Sequence, residues 1–449
     1  MTHFARDSLS GAAAPVPPAV HAPPPKASAW SAAAPPPPPA PLRVLFHIVD
    51  FGRGGTETAL IGWLRALPAA DFTVGLSIAY PTPDFDDIYR PQLPAGIAVH
   101  VLHAHPLLHA LHARRREGRL GKFGRLARTV FASTVNKQWA HWRIATIAAD
   151  YDVIIDFDLS LRHLAGHFGL PWIGISHFSF AARLAGRPAK IARLARQYAR
   201  YDGIAVLNRA MADEARMLFG DAIRRMLMLP NAIDIDEIRR RAGAPGPVFD
   251  RPYIVSVARL DEAQKDHATL FDAYAQLLRS GRADVDLVVV GDGPDRAQVE
   301  AAARASGYGA RIHVIGYLSN PHPVVAAAQL LVLSTRYEGL GMVLVEALAL
   351  ARPVVCSDCP TGPREVLDDG RAGVLVPCGD AAALADALAD VLTNDARRAA
   401  LRAAAPARAA FYGGPASTAR LQAYCTTLLA ARGARAGLTS RATTATPAG

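Results

Sequence analysis

Between Arg43 and Pro377 the chain carries two successions of short apolar runs, each run closed by Gly, Pro, Asp or Asn and separated from the next by helical patterns. The first is RVLFHIV (43–49), FTVGLSIAY (72–80), GIAVHVL (96–102), YDVIIDF (151–157), PWIGIS (171–176) and DGIAVL (202–207). The second is YIVSVA (253–258), VDLVVVG (285–291), IHVIGY (312–317), LLVLS (330–334), RPVVCS (352–357) and GVLVP (373–377). Runs of this length that lack a polar face suit strands buried on both sides, which demands a parallel sheet with helices above and below. The Gly- and Pro-containing stretch Ala242–Pro252 divides the two series and reads as the linker between domains. The expected fold class is therefore α/β, two Rossmann-like domains facing across a cleft, with residues 42–245 as the first domain and 246–414 as the second. In such sheets a ligand sits beyond the carboxyl ends of the strands.

Residues 1–41 are a different material, mostly Ala, Pro and Ser, and read as a disordered tail because they cannot bury enough surface to offset ordering entropy. They lack the apolar block of a secretory signal, and no run in the chain reaches the roughly 20 apolar residues of a membrane span. A cytoplasmic protein is expected. Four cysteines in 449 residues are too few for a disulfide framework. Cys356 and Cys359 form a lone CxxC with no second pair, which favours small residues closing a strand over a redox or zinc site. Of the net charge of +10, most lies in the first domain, where 27 Lys and Arg stand against 18 Asp and Glu. That half should meet an anionic partner.

The chemistry concentrates between Leu333 and Pro377. Glu338 precedes a helix and Glu346 lies within it, beside Gly339 and Gly341. A carboxylate can accept two hydroxyl hydrogen bonds from a vicinal diol, and glycines let helix N-terminal N–H groups, here Met342 and Val343, approach a phosphate. Arg259 and Lys265 follow the strand YIVSVA. Two fixed cations near such a pocket can stabilise the negative charge that grows on a departing diphosphate. A sugar nucleotide offers all of these groups.

The segment resembles the donor-binding core of the family 4 retaining glycosyltransferases, which have the GT-B fold and carry a Glu-x7-Glu pair that Glu338 and Glu346 match. The resemblance spans about Leu42 to Leu428 and is specific in the C-terminal half. It includes VARLDEAQKDHATL (257–270), GDGP (291–294) and GYLSNP (316–321). It implies that Arg259 and Lys265 hold the donor pyrophosphate, that Glu346 holds the ribose, that Glu338 lies nearer the reacting sugar and that the loop containing Leu318 lies near the base. It implies transfer with retention from a nucleoside diphosphate sugar, UDP-linked by expectation, without a metal or other cofactor. The acceptor is expected to be a glycan or lipid-linked intermediate of envelope polysaccharide or lipopolysaccharide assembly. A helix over 415–432 should return to the first domain, followed by a disordered tail at 433–449.

Other features carry alternatives. Gly52, Gly54 and Gly55 give GxGG rather than the dinucleotide GxGxxG; the resemblance places Gly54 and Gly55 at the cleft. His177, in GISHFSF, is either a ligand to the sugar or a histidine satisfied by backbone, and Asn231 either faces the cleft or caps a turn. Asp156 and Asp158 form Asp-x-Asp, and the expectation is that their carboxylates face apart, which weakens joint metal ligation. Basic stretches at 108–143, with Phe123, Phe131, Trp139 and Trp142, and at 183–200 suit an anionic membrane surface, such as the inner face of the plasma membrane. A UDP-sugar epimerase of the same fold and a basic nucleic-acid-binding protein are the rival readings; the latter leaves the glycine–glutamate cleft unexplained.

Overall fold

The computed structural model describes residues 41–52, 54–103, 106–116 and 135–443. The expected N-terminal tail and much of the basic stretch at 108–143 fall outside them. The first sheet holds β1 (Leu42–Ile48), β2 (Phe72–Ile78), β3 (Ala98–Val101), β4 (Val153–Asp156), β5 (Trp172–Ser176), β6 (Gly203–Val206) and β7 (Met226–Met228) in the order β3-β2-β1-β4-β5-β6-β7. The second holds β8 (Tyr253–Val257), β9 (Asp286–Val290), β10 (Ile312–Gly316), β11 (Leu331–Leu333), β12 (Val354–Ser357) and β13 (Val374–Val376) in the order β10-β9-β8-β11-β12-β13. Every neighbouring pair is parallel. Chain order reverses beside β1 and β4 in one sheet and beside β8 and β11 in the other, and these switch points open crevices at the carboxyl ends. Twelve of these thirteen strands coincide with the apolar runs. The exception, β7, is a three-residue edge strand in the basic segment RRMLMLP, too short to show a pattern.

The chain crosses between the sheets twice, and the crossings lie side by side. Ile233 donates its N–H to the Tyr412 carbonyl at 3.0 Å and accepts from the Gly414 N–H at 3.1 Å. The last helix, Gly414–Thr443, then lies on the first sheet's side: Leu421, Cys425 and Leu428 are buried, the Tyr424 hydroxyl donates to the Met228 carbonyl at 2.9 Å, and Arg432 pairs with Asp202 at 2.9 Å. It runs on to Thr443 where a disordered tail was expected from residue 433. The Ala- and Arg-rich run contains no proline before Pro447, and Gly433 alone, costing about 1 kcal/mol against alanine, does not end the helix at Arg432. No helix among the described residues is long and apolar enough to cross a membrane.

Candidate active site

The loop after β11 is tied to the turn after β8 before any ligand enters. Ser334 donates its hydroxyl to the carbonyls of Lys265 and Asp266, each at 3.0 Å, and Thr335 donates to the Gln264 carbonyl at 3.1 Å. These bonds bring Lys265 against Glu338 in an ion pair whose two side chains are 12% and 8% exposed. Removing either partner would strand a charge in a desolvated site. Arg259 is more open and reaches Asp261 at 2.9 Å. Gly341, at φ 79°, starts the helix Met342–Ala349, whose first turn leaves the N–H groups of Met342 and Val343 without intrahelical acceptors. Glu346 follows one turn later, with its Oε2 3.5 Å from Nε2 of the buried His322.

The first sheet presses directly on this loop. A Cβ at Gly339 would stand 1.9 Å from the His177 carbonyl oxygen, so only glycine permits the approach. Asn208 caps the helix Arg209–Phe219 through its Oδ1 and donates its amide to the Gly339 carbonyl, and Asn231 donates to the Met342 sulfur at 3.2 Å. His177 is buried, its ring 4.3 Å from that of Phe157. Burial pushes its pKa down to about 3 against an opposing hydrogen bond to the Phe157 backbone, so the ring is neutral near pH 7. A carbonyl only accepts, so the nitrogen bonded to Phe157 carries the proton. Nε2, buried without a protein partner, is then the free acceptor. Glu57 bonds the Gly52 N–H at 3.1 Å, and burial raises its pKa.

Arg259, Lys265, Glu338, Glu346, His177, Gly341, Met342, Val343, Leu318, Gly54 and Gly55, the whole candidate set, line one cavity of about 810 Å³. Asn231 faces the same cavity. Glu57 and His322 also line it and were not singled out from the sequence. Glu57 sits in GTETAL and His322 in NPHPVV, and only their tertiary neighbours make them notable.

Asp156 and Asp158 correct one expectation. Residues two apart on a strand share a face, and the chain leaves the strand at Asp156 and turns through Leu159 at φ 57°, so both carboxylates accept from the Ser160 N–H, at 3.0 and 3.2 Å, instead of facing apart. Asp156 also accepts from the Leu161 N–H at 2.8 Å and the Tyr201 hydroxyl at 2.6 Å. Burial foremost, then Asp158, pushes its pKa up to about 8. Cys356 and Cys359 are buried, and burial raises both thiols, which keeps them protonated and poorly reactive.

Residues 236–408 match the family described as glycosyl transferases group 1. The chain is 30% identical over 191 residues to the Campylobacter jejuni N-acetylgalactosamine-N,N'-diacetylbacillosaminyl-diphospho-undecaprenol 4-alpha-N-acetylgalactosaminyltransferase, covering 42% of this chain and 51% of that one. It is 34% identical over 179 residues to an alpha-D-kanosaminyltransferase of Streptomyces kanamyceticus, covering 39% and 45%. The chain thus spans about half the length of the curated relatives it matches. In fold it is similar to Anabaena HepE crystallised with UDP-glucose, with a TM-score of 0.65 at 18% identity, over 86% of this chain and 100% of that one. The two-domain α/β architecture is that of GT-B glycosyltransferases.

Proposed function

From a chain whose residues 236–408 match the group 1 glycosyl transferases, we propose that the protein transfers a sugar from a nucleoside diphosphate to a hydroxyl of a glycan or lipid-linked acceptor in envelope polysaccharide or lipopolysaccharide assembly. The donor is a UDP-sugar, and the anomeric configuration is retained. The observation that carries this reading is the meeting of Arg259, Lys265, the Met342–Val343 helix start and the two glutamates in one cavity with a neutral His177 from the other sheet. The relatives' names, one of which specifies a diphospho-undecaprenol-linked glycan, support the acceptor class.

Arg259, Lys265 and the Met342 and Val343 N–H groups bind the diphosphate. Because they are fixed before reaction, they stabilise the charge that develops on the leaving oxygen more than the charge of the ground state. Glu346 accepts the ribose hydroxyls. Glu338, held by Lys265, and His177, through Nε2, accept hydroxyls of the sugar and orient its anomeric carbon. The acceptor hydroxyl attacks from the face the diphosphate leaves, and the leaving oxygen helps to take its proton. No metal is required for charge neutralisation where two cations and a helix start converge. A screen of UDP-sugars against a panel of lipid-linked and oligosaccharide acceptors tests the proposal: acceptor-dependent release of UDP supports it. Turnover of the sugar nucleotide alone to an epimer, read by NMR, contradicts it.

A further inference from the structure

A second, shallow cavity of about 560 Å³ shares no residue with the cleft. Gln138, His141, His163, Leu164, His167 and Arg200 line it. The polar side chains among them are donors, or become donors on protonation, and no carboxylate is present. The site is built rather than incidental. Gly166, at φ 79°, lays its segment on the chain at Arg200, where an added Cβ would stand 2.9 Å from the Arg200 carbonyl oxygen. The Arg200 guanidinium in turn reaches the His163 carbonyl at 3.5 Å. His167 meets His141 edge-on with ring centroids 5.4 Å apart, and Phe168 packs 4.7 Å from His141.

The helix Val135–Ala148 that supplies Gln138 and His141 buries Ala140, Ile144, Ile147 and Ala148. Its outward face includes Gln138, His141, Trp142 and Trp139, neighbours at helical spacing. Both rings are partly exposed, 48% and 56%, and lie 5.4 Å apart, with the Trp139 N–H donated to the Leu102 carbonyl at 3.0 Å and the Trp142 ring the more open of the two. The helix Pro188–Tyr198, which leads to Arg200, buries Leu194 and Tyr198 and leaves Arg187, Arg193 and Arg196 exposed, with no carboxylate ion pair among the described residues. This helix begins only after a break at Gly186, so the basic stretch at 183–200 is not one continuous face: Arg183 lies on a preceding short helix and stacks over Phe178.

We propose that this cavity is a headgroup site that takes the phosphate of an anionic phospholipid while Trp139 and Trp142 enter the bilayer interface. A donor-lined cavity without a carboxylate selects an anion. Tryptophans favour the headgroup zone, where an apolar ring and a polar N–H are both accommodated, and basic side chains nearby add attraction to an anionic leaflet. Free inorganic phosphate would fill the cavity but leaves the paired indoles unexplained. Burial, then His141 and Arg200, lowers the His167 pKa, and a bound phosphate opposes the two charges. The groups facing His167 are His141 from the helix and Arg200 from the adjoining segment, with His163 on its own segment, so binding takes up protons and tightens as pH falls.

The inference holds whatever the cleft transfers, and its test is independent of the transfer assay. The full chain is sedimented with phosphatidylcholine vesicles with and without phosphatidylglycerol, at about pH 7.5 and about pH 5.5 on either side of the histidine range. Binding that requires phosphatidylglycerol and strengthens at the lower pH is expected. Substituting His141→Ala, His167→Ala and Arg200→Gln together should weaken it about tenfold or more, the size of one charge-assisted contact. Arg187→Gln with Arg193→Gln should weaken it less and leave the pH dependence. An unchanged circular dichroism spectrum and melting temperature in every variant show that the fold survives. Undiminished binding by the triple variant overturns the proposal. So does equal binding to both vesicle types, or saturation by inorganic phosphate without vesicle binding.

Discussion

On the second-sheet side of the cleft, charged groups come in pairs: Lys265 with Glu338, Arg259 with Asp261 and Glu346 beside His322. On the first-sheet side Asp50 with His112 and Arg65 with Glu237 are also paired, but His177 and Glu57 in the cleft wall, and His47 and Asp156 deeper in the sheet, stand outside any ion pair among the described residues and are driven towards neutrality. His177 and His47 are pushed down to about 3, Asp156 is pushed up to about 8, and Glu57 is raised. Ion pairs inside a crevice suit a ligand that brings its own charge, because a phosphate can enter an existing network of fixed dipoles and cations. Neutral donors and acceptors suit hydroxyl groups, for which a charge would cost desolvation without return. The proposed function thus assigns the diphosphate to the face of paired charges and the sugar and its acceptor to the face that carries His177.

The largest expected effect breaks the paired side. Lys265→Met should lower the transfer rate by about 10²–10³ and, by leaving Glu338 buried and unpaired, destabilise the fold by about 3–5 kcal/mol. Adding Glu338→Leu should restore stability but not transfer, read by calorimetry and steady-state rates on the same samples. Gly339→Ala attacks the contact between the two sides. With 1.9 Å to the His177 carbonyl, the chain must shift, at about 1–3 kcal/mol for an overpacked site, and both nucleotide binding and transfer should fall; unchanged kinetics would show that the contact is not needed. Glu346→Gln should weaken UDP binding by roughly tenfold, the loss of charge-assisted bonds to a diol, seen in isothermal titration.

The neutral side should reveal itself in pH. The unfolded chain protonates His47 below about 6.5, whereas the native ring, pushed down by burial, resists until about 3. Its contribution to stability is full above about 6.5 and is lost as pH falls through that window, at up to about 1.4 kcal/mol per pH unit. Asp156 acts in the opposite sense: native Asp156 keeps its proton to about 8, so its contribution erodes as pH rises from about 4 towards 8. His47→Leu should flatten the fall in melting temperature between about pH 6.5 and about pH 4; coincident curves would refute the assignment. The smallest effect is expected of Arg432→Ala, which removes the ion pair to Asp202 and should cost about 1 kcal/mol or less.

The same division decided what could be read from the sequence. The second-sheet site was legible because its residues fall in short segments whose spacing is fixed by one strand, one turn and one helix: Arg259 and Lys265 after β8, Glu338 to Glu346 after β11. Twelve strands were legible for a similar reason, since a strand covered on both faces cannot hide its composition. On the first-sheet side the chemistry is assembled from distant pieces. Glu57 matters because the Gly52 N–H and the cleft wall meet it, and on the second-sheet side too His322 escaped notice because only Glu346, on another helix, stands against it. The Asp156–Asp158 reading failed because residues two apart on a strand share a face rather than facing apart, and the turn after β4 keeps both carboxylates at the Ser160 N–H. The last helix was cut short because its later turns lack the apolar spacing that marked Leu421, Cys425 and Leu428.

The account rests on a nucleotide-sugar site on the second-sheet face of the cleft, and thermal unfolding with a panel of nucleotides and nucleotide sugars tests it most directly. Binding at a hundred times the dissociation constant stabilises the native state by about 2.7 kcal/mol. A rise in melting temperature with UDP or one UDP-sugar, abolished in Glu346→Ala, is the expected result. No rise with any nucleotide, or a rise that the Glu346→Ala protein keeps in full, would contradict it.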